Sequence, residues 1–252
     1  MKVGDPVPGE RSGATFDRFG EAISVSSNGR HVLFWGGWGE PGGPKTRRVP
    51  LVCPDEGNAA RRNACDAATP PGTEGEVPMH QGFFLRDMQS GATTVIARIG
   101  DVVDGRVAGM GEGEGDDIEE PARWRSTSFG AVSGNGTPGT TVIKATFADN
   151  GDDIDNEQAL LLRNVKQSGV GDLMPLVRTG DRGSIVDPEA PDGAVISALG
   201  VERDGFRGYW LAVNVSMLVP TEVAAASGGE ESEEETGWAG VYAAHFLDDV
   251  AP

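Results

Sequence analysis

Histidine, cysteine and long apolar runs are scarce in this chain, and each shortage removes a class of function. Its 252 residues include three histidines, His31, His80 and His245, and two cysteines. Two cysteines fall short of the four ligands that a structural zinc site takes, and His80 is the obvious third ligand for them. The chain contains no G-x-S-x-G elbow, H-E-x-x-H helix, P-loop or dinucleotide glycine fingerprint, which leaves the usual catalytic signatures unrepresented. The stretch GMGEGEGDD has closely spaced glycines but too many carboxylates to receive a phosphate. The expectation is therefore a protein that is not an enzyme. No run approaches the roughly 18 to 20 apolar residues that span a bilayer, so no membrane span is expected. Basic residues number 21 against 39 acidic ones, for a formal charge of −18. A field of that sign repels phosphate backbones, so nucleic acid is set aside as a partner.

What is present is glycine, at 38 residues, and proline, at 16. Long periodic runs of Ala, Glu, Lys and Leu are missing, and the balance favours turns and strands over helices. The acidic residues are concentrated in EGEGDDIEE (112–120), DNGDDIDNE (149–157) and EESEEE (230–235), which hold no basic residue. The remaining charges are nearly balanced.

Three copies of one unit can be laid over each other. The first reads GEAISVSSNG, RHVLFWGGW, QGFFLRDM, TTVIARIGD, and the second FGAVSGNG, TTVIKATFA, EQALLLRNV, DLMPLVRTGD. The third reads VISALGVERDG, FRGYWLAVNV, WAGVYAAHF and has no fourth line. Each line has the length and composition of a strand. The continuous apolar runs Val32–Trp35 and Tyr209–Val213 predict strands buried on both faces. Asn28-Gly29 and Asp204-Gly205 are expected to supply positive φ at tight turns. A repeated four-strand antiparallel unit is the pattern of propeller blades. The predicted fold is all-β: about three four-stranded propeller-like units in one domain (10–103, 104–183 and 184–252 plus strand 1–5), with a long insert at 37–80. A β-sandwich is the competing arrangement.

The opening MKVGD repeats the phrase that ends the first two units, at ARIGD and VRTGD. The expectation is that Lys2, Val3 and Gly4 supply the missing fourth strand beside Val241, Tyr242, Ala244 and Phe246. The acceptor is either the third unit of the same chain or that of a neighbour. Pro6 and Pro8 are expected to mark where the pairing stops. Strand exchange between copies builds head-to-tail assemblies or filaments.

The order GDPVPG, TFDRFGEAISVSSNGRHVLFWG, GFFLRDMQSGATTVIARIGD resembles an uncharacterised extracellular β-propeller repeat family of bacterial surface and secreted proteins. Phe16, Phe19, Ile23, Ser24, Gly29, Val32 and Phe34 carry the likeness. The resemblance implies the fold and an extracellular or cell-surface location, and it names no catalytic residue.

Other candidate sites follow from residue type. Asp149, Asp153, Asp155 and Glu157 alternate in a Gly-containing loop and offer hard oxygen ligands for calcium, although the spacing is not that of an EF-hand. Cys53 and Cys65 are expected to form a disulfide, with free thiols the alternative, and a bridge would place the protein in an oxidising compartment. The sequons at Asn135 and Asn214 are candidate glycosylation sites. The leading functional expectation is a non-enzymatic extracellular structural or interaction protein that assembles head to tail. The alternative is a monomeric ligand-binding propeller whose acidic face binds calcium, carbohydrate or a basic partner.

Overall fold

A computed structural model describes residues 1–10, 13–50, 65, 67–68, 72–103, 106–108, 130–133, 139–148, 158–166, 169–219 and 237–246. The chain is all-β, arranged as successive antiparallel sheets. The first sheet has the order β1 (Phe16–Val25), β2 (His31–Trp38), β5 (His80–Asp87), β6 (Thr93–Arg98). Within the insert between β2 and β5, β3 (Thr46–Pro50) and β4 (Glu74–Pro78) pair with each other. In the second sheet β9 (Gly130–Val132), β10 (Thr140–Ala148), β11 (Gln158–Lys166) and β13 (Met174–Arg178) form the corresponding meander. The hairpin of β7 (Asp101–Val103) and β8 (Arg106–Ala108) extends β10, and β12 (Gly169–Val170) pairs with β11. The third sheet pairs β14 (Val195–Gly200), β16 (Trp210–Leu218) and β17 (Gly237–His245), with β15 (Phe206–Arg207) on the start of β16.

Strand alternation sends successive side chains to opposite faces, and that alternation builds the core. Leu33, Phe83 and Leu85 on one face of the first sheet pack with Val132, Ile143 and Leu161 of the second. Val142, Leu160 and Leu162 on the second sheet's other face pack with Leu211, Val213, Val215 and Met217 of the third. The remaining face of the first sheet gathers Phe16, Phe34, Trp38 and Phe84, over which Val7 and Ala14 close. Each buried large apolar side chain contributes about 1.5–3 kcal/mol, so the two inter-sheet layers carry much of the stability. Polar struts join the same layers. Ser24 Oγ donates to the Arg203 carbonyl at 2.6 Å and accepts the Val132 N–H at 3.1 Å, touching all three units.

The repeat extends to irregularities. A register shift lies between Phe83 and Phe84 in the first unit and between Leu160 and Leu161 in the second, against the same point of the fourth strand. A second shift lies between Phe16 and Arg18 in the first unit and between Ile196 and Ala198 in the third. Each of these bulges is placed alike in two units, as a feature of the unit would be. They also fix the equivalences used below: Leu33, Val142 and Ala212 share one position, as do Phe83, Leu160 and Val241.

Three expectations require correction. Val3 is 59% exposed and does not lie beside β17. The phrase it belongs to pairs instead with the start of β1: Gly4 N–H donates to Phe16 O, Phe16 N–H to Asp5 O, and Val7 N–H to Ala14 O. Pro6 bridges to Thr15 inside this pairing, because a proline lacks the donor but keeps its carbonyl. Closure of the third unit by its own N-terminal strand is therefore not what this chain does. The run Tyr209–Val213 is buried on one face alone, with Trp210 and Ala212 exposed. Gly205 has no positive φ, which falls on Gly208 at +59°. Gly205 is there for closeness, since a Cβ would lie 3.0 Å from the carbonyls of Glu202 and Ala212.

Candidate functional site

The candidate site is the outward face and free edge of the third sheet. Among the described residues β17 pairs with β16 alone, and Val241, Tyr242 and Ala244 lie on it, with Phe246 just beyond. Alternation along β16 and β17 sends Leu211, Val213 and Tyr242 toward the second sheet and Ala212, Asn214, Val241 and Ala243 outward. Ala212, Val241 and Ala243 occupy positions that are core in the preceding units, while Asn214 stands where those units have the half-buried Trp35 and Lys144. Phe83 is 6% exposed and Leu160 0%, whereas Val241 is 74% exposed. Ala212 and Ala243, also exposed, stand where the earlier units bury Leu33 and Val142, and Leu85 and Leu162. Neither strand carries an Asp, Glu, Lys or Arg. Exposed edge strands are usually protected by such charges.

Two aromatic donors hold β17 in place. Trp238 Nε1–H and Tyr242 Oη–H both donate to Asp187 Oδ2, each at 2.9 Å. Asp187 sits on the segment after a 3-10 turn at Gly183–Ile185. The Trp238 bond, then the Glu189 N–H and the Tyr242 hydroxyl, hold the Asp187 carboxyl below the usual carboxylate range. Burial and the bond to Asp187 push the Tyr242 hydroxyl up. At the far end Trp210 and His245 pack ring against ring, 4.5 Å between centroids.

A cavity of about 490 Å³ lies elsewhere, between the first two units, lined by Val95, Arg98, Asp101, Arg163, Val170, Asp172 and Leu173. Its charges are largely committed to the protein itself. Arg98 pairs with Glu10. Arg163 donates from Nε to the Gly171 carbonyl at 2.8 Å and from Nη1 to the Ile96 carbonyl. Ile96 is the bulge residue of β6, so Arg163 ties the second unit to a carbonyl that the ladder leaves unused.

Of the sites expected from sequence, Lys2, Val3 and Gly4 are described but lie far in pairing from Val241, Tyr242, Ala244 and Phe246. Asn214 is exposed on the outward face of β16. Asp149, Asp153, Asp155, Glu157, Asn135 and Cys53 lie outside the described residues, as do all three acidic runs, so the calcium site and the pairing of Cys53 with Cys65 stay expectations. Among the described residues no three His, Cys, Asp or Glu side chains gather as a metal site would require. His80 Nε2 lies 2.7 Å from Glu40 Oε1. His31 is buried at the start of β2, and burial lowers its pKa. The sequence gives no local signal for the Asp187–Trp238–Tyr242 cluster, because Asp187 lies 51 residues before Trp238 and 55 before Tyr242.

No family model, no curated protein and no solved structure matches this chain.

Proposed function

We propose that this chain is a non-enzymatic structural or interaction protein of the extracellular space, built of propeller-like units, whose third unit is an acceptor surface. One observation carries the reading: Val241 is 74% exposed at a position where Phe83 and Leu160 are core. A sheet face patterned as an inter-unit face, with no charged residue on β16 or β17 and, among the described residues, no partner on the outer edge of β17, is unfavourable in water unless something covers it. The extracellular part of the proposal rests on a disulfide between Cys53 and Cys65, and calcium at residues 149–157 is an accessory proposal. Hydrogen exchange of the isolated protein at high dilution tests the acceptor role. Amides of 237–246 should exchange much faster than those of 158–166, the corresponding strand one unit earlier. Equal protection would mean that β17 is already covered and would overturn the reading.

A further inference from the structure

Resting on that acceptor role, we infer that the occupant of the third unit's open face is the first unit of a second copy of this chain, docked head to tail as the units within one chain are docked. The chain itself supplies the template. The segment before β14 is bonded to it as the opening segment is bonded to β1. Gly180 N–H donates to Ile196 O and Ile196 N–H to Asp181 O, as Gly4 and Phe16 do with Phe16 and Asp5. The bridge Arg182–Val195 matches Pro6–Thr15. Residues 1–5 therefore have the geometry of a link that enters a unit from a preceding one.

That geometry sets the register. Arg98 lies opposite Gly82 and Arg178 opposite Ala159, and the next residue in each case donates its N–H to Gln81 or Gln158. Lys2 of the second copy would thus lie opposite Gly240, with the Val3 N–H directed at the Ala239 carbonyl. So short a ladder holds little by itself, and the contact depends on the two faces.

The faces are matched in size at the position that decides how closely two units approach. Between the first two units Leu33 faces Gly130, where even a Cβ would come within 2.9 Å of the leucine. At the corresponding places of the inferred contact the third unit has Ala212 and the first unit Ile23, so the bulk changes sides while the sum is kept. Ile23 and Val25 are 46% and 45% exposed. Their counterparts are Gly130 and Val132 in the second unit, and both are buried. The chain thus bares complementary apolar surface at its two terminal sheets and on the inter-unit sides of both. A contact between two different patches leaves a free patch at each end and continues indefinitely unless the rotation closes it.

The test uses sedimentation velocity on the full chain with Ala212→Arg and Ile23→Arg, each variant first shown to keep the wild-type far-UV spectrum. Wild type should grow in size with concentration. Each variant alone should associate more weakly by about tenfold or more, because each destroys one of the two patches. Mixed in equal amounts they should form a dimer that grows no further, since each supplies the patch that the other lost. Val241→Arg and Val25→Arg serve as a second pair. If Ala212→Arg abolishes association while Ile23→Arg leaves it intact, two third units meet face to face; the head-to-tail inference falls and the acceptor role survives. A wild type that stays monomeric at every concentration overturns the inference too, and then rapid exchange in β17 still upholds the acceptor role while slow exchange removes both.

Discussion

Phe16 and Ile196 occupy one position in two units: each exchanges a pair of backbone hydrogen bonds with a Gly-Asp turn that precedes it, Gly4-Asp5 for Phe16 and Gly180-Asp181 for Ile196. The turn itself occurs three times. Gly4, Gly100 and Gly180 have φ of +91°, +89° and +84°. The carboxylates of Asp5, Asp101 and Asp181 accept the N–H of Lys2, Arg98 and Arg178 at 2.9, 2.8 and 2.8 Å. Only glycine takes that φ without strain, and a carboxylate of that length reaches the N–H three residues back.

These carboxylates should therefore be stability determinants wherever a unit ends. Asp101→Ala and Asp181→Ala are each expected to lower unfolding free energy by about 1.5–3 kcal/mol, the range for a hydrogen bond to a charged group. Asn at either position should recover part of the loss, since it keeps an acceptor oxygen. The two sites share no partner, so the double variant should show the sum within error. Urea unfolding with an unchanged m-value is the measurement. A loss at one site and none at the other would break the equivalence of the units.

Arg163 should behave as a strut between units. Leu or Met in its place keeps the stem but leaves the Ile96 and Gly171 carbonyls without their donor, at a cost of about 2 kcal/mol. Lys should rescue poorly, because one ammonium does not reproduce two donors in a fixed fork. Thermal unfolding measures the loss. A stability equal to wild type in Arg163→Lys would mean that charge alone matters at this position.

The sequence made the all-β character and the antiparallel sheets legible because each line carries alternating apolar residues and the lines recur, whereas β7 (Asp101–Val103), read as the end of the first unit, pairs in the second sheet. Strand ends were less legible. β1 begins at Phe16 and not near Gly20, since the aromatic side chains at its start pack into a layer that strand propensity does not reveal. The run Tyr209–Val213 reads as a strand buried on both faces, and physically it has the composition for that. It is exposed on one side because, among the described residues, no further sheet packs on that face. The same fact misled the reading of MKVGD. Its likeness to ARIGD and VRTGD is real at the level of the turn, yet within one chain it docks forward onto β1 instead of back onto β17.

Acid should loosen the third sheet before the second. The Asp187 carboxyl has a folded-state pKa below its ordinary value near 3.8. Its contribution is therefore complete above that value and is lost as pH falls through the lower, folded value. The Tyr242 hydroxyl is raised above 10.0, so its contribution is complete below that pH and is lost as pH rises through the folded value. β17 is thus expected to be best anchored between the two limits. Tryptophan fluorescence followed against pH should show both limbs, and Asp187→Asn should flatten the acid one. His31 has a lowered pKa against an ordinary 6.5, which predicts a separate loss beginning as pH drops below that value. His31→Gln should remove this earlier loss and leave the β17 limb unchanged.

The aromatic layer of the first unit offers the most specific packing prediction. A Cβ on Gly36 would lie 2.6 Å from Cε1 and 2.8 Å from Cδ1 of Phe16, whose ring is itself edge-on to Phe84. Gly36→Val should therefore cost about 1–3 kcal/mol by overpacking. The third unit solves the same position differently, with Ile196 for Phe16 and Val215 for Gly36, both buried. Phe16→Ile alone should also destabilise, because it removes ring contacts to Phe34, Trp38 and Phe84. Made together, the two changes reproduce a pair that the protein already uses, and the ring that clashes with the new Val is gone. The double variant should be more stable than the sum of its parts by about 1–2 kcal/mol, as expected for residues in direct contact. Strict additivity in a double-mutant cycle would show that the two units, alike in register, do not share the packing of this position.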